Sequence, residues 1–223
     1  MTVIAPPGEP ASTRAEQKSA QVLEGARAVF LACGFEGASV DEIARTAGIS
    51  KATLYRHFPD KSALFAAVVQ AECARQAALH PELDQAGRPL PDFLYDLARE
   101  AMEFSLSDFG QGIYRIAVAE SERFPDIGKH FYHTGSGRNR SRLAPALAAA
   151  TERGELDALD ACHAAQVFFA ICKAGIFHRR LFSVDPAPGA AEIDAHARRS
   201  VETFLRAFGY RSPASRAETV AAR

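Results

Sequence analysis

Apolar residues recur at helical spacing along most of this chain, and no stretch alternates as a strand would. The spacing predicts a first helix from about Arg14 to Cys33, followed by Gly34, which suits the left-handed residue that ends many helices. A shorter second helix has its apolar face at Val40, Ile43, Ala44 and Ala47. The pattern therefore predicts an all-α protein.

Side chains that can cap helices mark where the next elements begin. Ser39 precedes the second helix and forms a capping box with Glu42. Ser50 caps a third helix, which Pro59 stops, and Asp60 caps a fourth. Only a short turn separates the second helix from the third, so the segment is predicted to be a helix-turn-helix.

The remainder of the chain also has a helical pattern. Helices are predicted at about 91–109, 113–123, 125–153, 160–182 and 190–208. We expect the third of these to be broken or kinked at Gly135, Gly137 or Pro145. The predicted organisation is a flexible arm at 1–13, a helix-turn-helix domain at 14–62, a second helical domain at 63–209 and a tail at 210–223.

Composition changes this picture little. Of the 223 residues, 48% are apolar and 24% are charged, and the net charge is -1, so overall charge indicates neither nucleic acid nor a membrane as partner. The four cysteines form no CxxC motif, which favours free thiols. The first residues lack a secretory signal pattern, and no apolar run approaches the ~18 residues of a membrane span, so we expect a cytoplasmic protein.

The third predicted helix departs from this neutral balance. Its core face is formed chiefly by Leu54 and Phe58. Its outward positions carry groups that can read base edges or bind phosphates: Ser50, Lys51, Thr53, Tyr55, Arg56 and His57. Between Arg45 and Lys61 the chain has four basic residues and one acidic residue. A locally positive surface that suits DNA is therefore predicted.

The segment GARAVFLACGFEGASVDEIARTAGISKATLYRHFPDKSALFAAVV, residues 25–69, resembles the DNA-binding domain of TetR-family transcriptional regulators. The resemblance is one of spacing as well as residue type. The matching positions are, in order, Phe30, Gly34, Phe35, Ser39, Ile43, Ala44, Ala47, Gly48, Ser50, Thr53, Leu54, Tyr55, His57, Phe58, Lys61 and Leu64.

This resemblance implies roles for individual residues on DNA. The residues implied to face the bases are Lys51, Ala52 and Thr53. The residues implied to contact the DNA backbone are Tyr55, His57, Lys61 and, from the second helix, Ser39. Arg56 is expected to contact either a base or a phosphate. Asp41 lies where some relatives have a base-contacting cation, so recognition is expected to depend more on the third helix.

The second half resembles the effector domain of the AefR-like branch of the same family, in AVAESERFPDIGKHFY, TERGEL, CKAGIF and VETFLRAFG. The resemblance implies that its last two long helices, about Asp160 to Phe182 and Ala190 to Phe208, form a four-helix interface with their copies. Candidate interface residues are Val167, Ala170, Ile171, Ala174, Val201, Phe204 and Phe208. A dimer also suits a palindrome with half-sites ~34–36 Å apart.

The family's effector pocket lies between the middle helices of this domain. Candidate lining residues are Phe93, Met102, Phe104, Phe109, Tyr114, Arg115, Phe168, Phe169, Phe177 and His178. The alternative for each aromatic residue is plain core, which is the usual place of an aromatic residue at helical spacing. Arg115 can bind a ligand carboxylate or pair with Glu120 or Glu122, and His178 can be an ordinary hydrogen-bonded histidine.

Other chemistry is absent from the sequence pattern. There is no phosphate loop, dinucleotide fingerprint or metal motif, so no cofactor or metal is expected. His130 and His133 lack further ligands nearby and are interpreted as surface histidines. The run of Arg138, Arg140 and Arg142 is interpreted as a solvated face.

The sequence is thus interpreted as a homodimeric transcriptional repressor, not an enzyme, that a small-molecule effector releases from a palindromic operator. One alternative is a ligand-independent DNA-binding protein of the same fold, which would lack a sizeable cavity. A helical enzyme or carrier with a vestigial helix-turn-helix is a second alternative, but no catalytic constellation supports it.

Overall fold

A computed structural model describes residues 14–78 and 88–212. Within these ranges the chain forms eleven α-helices and one π-helical turn, with no strand, so the predicted all-α class is confirmed. The predicted arm at 1–13 and the end of the predicted tail, 213–223, lie outside the described residues. The chain divides into an N-terminal unit, residues 1–68, and a C-terminal unit, residues 69–223.

The N-terminal unit is built from four helices, the last of which continues past the boundary between the units. They are α1 (Arg14–Gly37), α2 (Val40–Thr46), α3 (Lys51–His57) and α4 (Lys61–Ala78). The predicted boundary after residue 62 is therefore earlier than the observed one, which falls inside α4. A turn that contains Gly48, with φ of 64°, separates α2 from α3.

Side-chain caps begin the short helices as the sequence predicts. The hydroxyl oxygens of Ser39 and Ser50 each accept a hydrogen bond of 3.1 Å from the backbone N–H three residues on. The carboxylate of Asp60 accepts one of 2.7 Å from the N–H of Ala63. Gly34 has φ of 72°, but the chain continues for another short helical stretch beyond it, so α1 is kinked rather than ended there.

Three aromatic rings form the centre of the N-terminal core. The ring of Phe65 in α4 lies 5.3 Å from that of Phe30 and 5.8 Å from that of Phe35, both edge to face. Leu54, the buried residue of α3, is only 1% exposed. Helices α1 and α2 approach closely at Gly25, where an added Cβ would lie 2.9 Å from the backbone nitrogen of Ala47. Two seven-residue helices are thus held on a common core.

The C-terminal unit contains seven further helices. They are α5 (Leu90–Leu106), α6 (Asp108–Glu120), α7 (Pro125–Tyr132), α8 (Arg138–Glu152), α9 (Ala161–Lys173), α10 (Ile176–Leu181) and α11 (Ala190–Ala207). A π-helical turn, His133–Gly137, joins α7 to α8, which confirms the predicted break near Gly135. The single helix predicted at 160–182 is wrong: Gly175, with φ of 76°, separates α9 from α10.

The core of this unit lies where α5, α9 and α11 pack together. Phe168 and Phe204 are both 0% exposed, with ring centroids 5.2 Å apart, and Phe208 lies 4.5 Å from Phe204. The amphipathic stripe of α11 therefore faces the interior of its own unit.

The predicted tail begins as ordered structure. The backbone N–H of Arg211 donates to the carbonyl of Glu155 at 2.9 Å, and its guanidinium donates to Asp157 at 3.0 Å. Of the helices within the described ranges, none is both long enough and apolar enough to cross a membrane.

The buried ring of Phe204 gives a direct test of this packing. Phe204→Ala should lower the free energy of unfolding by ~3–5 kcal/mol, because it leaves a cavity against Phe168. Denaturant unfolding measures the change. Phe182 is 72% exposed, so Phe182→Ala is the control and should change the free energy of unfolding little. Equal effects of the two substitutions would contradict the packing described for α11.

Candidate DNA-binding surface and ligand cavity

Helix α3 presents most of the predicted DNA contacts on its outer side. Lys51, Ala52, Tyr55 and Arg56 are exposed, whereas Thr53 and His57 are half-buried. We call these six residues, together with Ser39 and Ser50, the polar surface. Leu54 lies on the opposite side of α3 and is buried in the core, so the α3 residues of the polar surface are directed outward.

Two members of the polar surface also hold the local fold. The hydroxyl oxygens of Ser39 and Ser50 cap α2 and α3, as described above. The Ser50 hydroxyl is in addition 2.9 Å from that of Thr53, and either can donate. A DNA contact by any of these three residues stays a prediction.

Lys51 is paired with Asp41, the acid that lies where some relatives have a base-contacting cation. Its ammonium donates to the carboxylate of Asp41 at 2.9 Å, and both side chains are exposed. The hydrogen bond from Lys51 to Asp41 raises the pKa of Lys51 above its ordinary value. Asp41 lies in the first turn of α2, where its charge also suits the helix dipole. The positive charge of Lys51 is therefore partly balanced within the unit.

Lys61 likewise has partners inside the N-terminal unit. Its half-buried ammonium donates to the backbone carbonyls of Glu36 at 3.2 Å and Ala38 at 3.0 Å. It also lies 4.6 Å from the ring centroid of Phe35. Lys61 therefore supports the end of α1, and its predicted phosphate contact stays a prediction. Among the described residues, Arg56 has no acidic partner, and its side chain is exposed.

The C-terminal unit contains a partly open cavity of about 280 Å³. Helices α4 to α10 and the π-helical turn contribute to its walls. The lining residues are Val69, Cys73, Ala101, Met102, Phe104, Ser105, Gly110, Tyr114, Phe131, Tyr132, Gly135, Asn139, Arg140, Gln166, Phe169, Ala170, Cys172, Lys173 and Phe177. The ring of Tyr114 lies edge to face with those of Phe131, at 5.9 Å, and Phe177, at 5.0 Å. The volume is close to the lower end of the ~300–1,000 Å³ typical of small-molecule sites.

Half of the residues predicted for the pocket lie in its lining: Met102, Phe104, Tyr114, Phe169 and Phe177. Phe93 and Phe168 do not line the cavity; both are buried in the core of the unit, at 3% and 0% exposure. Phe109 is also buried, with its ring 6.2 Å from that of Phe104.

The two charged candidates from the sequence also lie outside the lining. Arg115 is exposed and donates to the backbone carbonyl of Leu181, and among the described residues it forms no ion pair with Glu120 or Glu122. His178 is exposed on α10. Helical spacing alone could not separate these residues from the true lining, because the spacing does not say which neighbouring helix each face meets.

The pocket residues predicted from the sequence do not include the two cations of the cavity, Arg140 and Lys173. Arg140 lines it, Arg138 donates to the carbonyl of Cys73 at 2.9 Å, and Arg142 pairs with the buried Glu100 at 2.8 Å. The interpretation of this run as a solvated face is therefore wrong. For Arg140, the nearest signal in the sequence is the HTGSG segment, whose glycines predict a break; the structure has a π-helical turn there, and such turns are frequent at functional sites. For Lys173, the signal was a lone charge inside the apolar stretch VFFAICKAGIF.

Burial alters the acidity of two neighbouring lining residues. Loss of water lowers the pKa of Lys173, and the same effect raises the pKa of Cys172 to about 12. The thiol of Cys172 therefore stays neutral. In the described part of the chain, no group of three His, Cys, Asp or Glu residues is placed to hold a metal ion.

The residues predicted for a dimer interface differ in how deeply they are buried within the C-terminal unit. Val201 and Phe204 are buried in their own unit, since the apolar stripe of α11 packs on α5 and α9, so they are not available to a partner surface. Val167, Ile171 and Phe208 are half-buried. Ala174 is exposed at the end of α9, and Ala170 is exposed but lines the cavity.

These features define a helix-turn-helix protein with a separate helical domain that contains a cavity. The family model for bacterial regulatory proteins of the TetR family matches residues 22–68. The model for the AefR-like transcriptional repressor, C-terminal domain, matches residues 92–210. The chain therefore belongs to the TetR family, with an AefR-like C-terminal domain, and both resemblances drawn from the sequence are confirmed.

Individual relatives agree with this assignment. The HTH-type transcriptional repressor AcnR of Corynebacterium diphtheriae is 37% identical over 71 residues, which are 32% of this chain and only 37% of that protein. A TetR-family regulator from Mesorhizobium loti has a similar structure, with a TM-score of 0.76, 28% identity, and coverage of 88% of this chain and 99% of that one. The flavonoid-responsive regulator FrrA also has a similar structure, with a TM-score of 0.72 and 31% identity. The match covers 86% of this chain and 97% of that one. Members of the family are DNA-binding transcriptional regulators, not enzymes.

The ion pair between Lys51 and Asp41 generates a prediction about DNA affinity. Asp41→Asn should raise affinity for every DNA sequence roughly two- to fivefold, because it removes a negative charge and releases the Lys51 ammonium to phosphate. The decrease of DNA affinity with salt concentration should also become steeper, by the release of about one more counterion. Fluorescence anisotropy at several salt concentrations measures both.

The control is Asp126→Asn, which breaks an exposed pair with Lys129 in the C-terminal unit. It should leave DNA affinity unchanged. An Asp41→Asn protein with unchanged affinity and salt slope would show that Lys51 stays away from DNA.

Proposed function

We propose that this regulator is a homodimeric repressor that binds a palindromic operator and is released by a small-molecule effector. The observation that carries the proposal is the cavity of about 280 Å³ in the C-terminal unit. Well-packed helical domains contain few voids larger than a water molecule. A cavity with aromatic walls and several polar groups is therefore better explained by a ligand than by imperfect packing.

On DNA, the polar surface and Lys61 supply two kinds of contact in this proposal. Lys51, Ala52 and Thr53 face the base edges. The phosphate contacts come from Ser39, Ser50, Tyr55, Arg56, His57 and Lys61. The exposure of Arg56 and Tyr55 supports a leading role for these two in affinity. Lys51 and Lys61 already have partners within the N-terminal unit. They therefore add to DNA affinity only where phosphates replace those partners.

Two copies are required because one seven-residue helix contacts few base pairs. Members of the family usually dimerise. We propose that the partner copy covers the outer sides of α9 and α11. This revises the set predicted from the sequence, since Val201 and Phe204 face inward. Val167, Ile171, Ala174 and Phe208 remain candidates for the interface.

Helix α4 is the proposed route of coupling. Lys61 begins this helix in the N-terminal unit, and Val69 and Cys73 of the same helix line the cavity. In the proposed mechanism, the effector favours a state in which the two copies of α3 no longer match operator spacing. The effector must bind that state more tightly by the coupling free energy, typically ~1–3 kcal/mol. The aromatic walls, and the flavonoid response named for FrrA, support an aromatic effector.

The alternative is a ligand-independent DNA-binding protein of the same fold. That alternative requires the middle helices of the C-terminal unit to be filled by side chains, and the cavity is evidence against it.

Base readout and phosphate contact can be separated by two substitutions in α3. Thr53→Ala should weaken binding to the best operator by ~1–3 kcal/mol and relax preference at one or two base pairs. Tyr55→Ala should instead weaken binding to all sequences alike. Binding to a panel of single-base operator variants measures both effects.

Thr53→Ser is the matched control, since it keeps a hydroxyl for Ser50 and removes only the methyl group. A uniform loss of affinity from Thr53→Ala would contradict its role as a base reader.

The whole proposal is tested first by selecting genomic fragments with purified protein and titrating salt on the best fragment. We expect a palindromic site bound by two chains, with an affinity that falls steeply with salt because phosphate contacts release counterions. Sedimentation of the complex gives the number of chains. Enrichment no better than that of random DNA, from protein shown to be free of bound small molecules, would contradict the proposal.

A further inference from the structure

The cavity of the C-terminal unit has an uneven charge. Its lining contains two cations, Arg140 and Lys173, and no aspartate or glutamate. The other polar lining groups are neutral hydroxyl, amide and thiol side chains, on Ser105, Tyr114, Tyr132, Asn139, Gln166, Cys73 and Cys172. An apolar cavity with positive charge and no acid to balance it favours a negatively charged ligand.

Lys173 is the more informative of the two cations. It is the last residue of α9, and its ammonium lies 5.1 Å from the ring centroid of Phe177. No carboxylate among the described residues pairs with it. Burial lowers the pKa of Lys173, because the ammonium has lost part of its hydration without gaining a counter-charge. Arg140, by comparison, donates a long hydrogen bond of 3.5 Å to the hydroxyl of Tyr132.

An unpaired ammonium at an apolar wall is costly, and an anion would offset that cost. A charge-assisted hydrogen bond is stronger than one between neutral groups, and its strength rises where water is excluded. At neutral pH a carboxylate is ionised, whereas a simple phenol with a pKa of about 10, as in tyrosine, remains largely neutral. The group that suits Lys173 is therefore a carboxylate.

The rest of the cavity indicates what carries that carboxylate. Six aromatic rings line it, those of Phe104, Tyr114, Phe131, Tyr132, Phe169 and Phe177. Such walls suit edge-to-face and offset contacts with a flat aromatic body. The volume of about 280 Å³ suits a compact molecule rather than a long acyl chain.

We propose that the cavity binds a compact aromatic carboxylate, whose ionised carboxyl group accepts a hydrogen bond from the Lys173 ammonium. This inference rests on the proposed ligand response and names the chemical class of the effector. Arg140 is the second cation of the cavity and adds to its positive potential.

The test uses two probes of nearly equal shape that differ in charge, 2-naphthoate and 2-naphthamide. Their affinities for the full-length protein are measured by titration calorimetry. We expect 2-naphthoate to bind about tenfold or more tightly than the amide, the ratio expected for one charge-assisted hydrogen bond. Equal affinities, or no binding of 2-naphthoate at about 1 mM, would overturn the inference.

Substitutions then assign the preference to Lys173. Lys173→Met should abolish the preference for 2-naphthoate while leaving the amide affinity unchanged, and Lys173→Arg should retain it. Lys129→Met is the matched control, because Lys129 is exposed on α7 outside the cavity lining and pairs with Asp126. A preference that survives in a folded Lys173→Met protein would overturn the assignment. If that variant does not fold, loss of the preference in Lys173→Arg would overturn it instead.

A parallel measurement separates this inference from the proposed function. The affinity of the protein for its selected DNA fragment is measured with each probe present. Equal binding of both probes, with release of DNA by both, would overturn the carboxylate inference and leave the ligand-released repressor standing. Preferential binding of 2-naphthoate without any change in DNA affinity would support the inference and contradict the release mechanism.

Discussion

The helices around the cavity of the C-terminal unit cannot be held in place by side chains that pack across it. Contacts beside the cavity must therefore fix their positions. In the C-terminal unit these contacts are polar and partly buried. The buried Glu100 on α5 pairs with Arg142 on α8 at 2.8 Å. Arg138 on α8 donates to the carbonyl of Cys73 on α4, and the fully buried Gln111 on α6 donates to the carbonyl of Ser105 at 2.7 Å. Such contacts fix helix positions because breaking one leaves a buried polar group unsatisfied.

The N-terminal unit meets a different constraint, since its two central helices have only seven residues each. Isolated helices of that length are unstable in water, so they depend on caps and on a shared aromatic core. Some residues at the candidate DNA-binding surface have a structural role as well. Ser50, Lys51 and Lys61, all candidates for DNA contact, also hold the unit together. Affinity for DNA and stability of this unit are therefore coupled through individual side chains.

The elements that the sequence predicted well are those governed by neighbours along the chain. The caps at Ser39, Ser50 and Asp60 follow from hydrogen bonds that span three residues. The sequence was less informative where one helix meets another. It grouped Phe168 and Phe204 with functional residues, although both lie in the core, and it did not include Lys173 or Arg140. Periodicity shows that a face is apolar but does not identify what covers it.

The sequence by itself determined the helical class, the helix-turn-helix, the polar outer side of α3 and the family. These depend on local spacing, on caps and on residue types that a single helix displays. Only the tertiary structure decided that Asp41 balances Lys51, that the stripe of α11 faces inward and that two cations line an apolar cavity. These features bring together residues from different helices, and the packing of whole helices determines which residues meet.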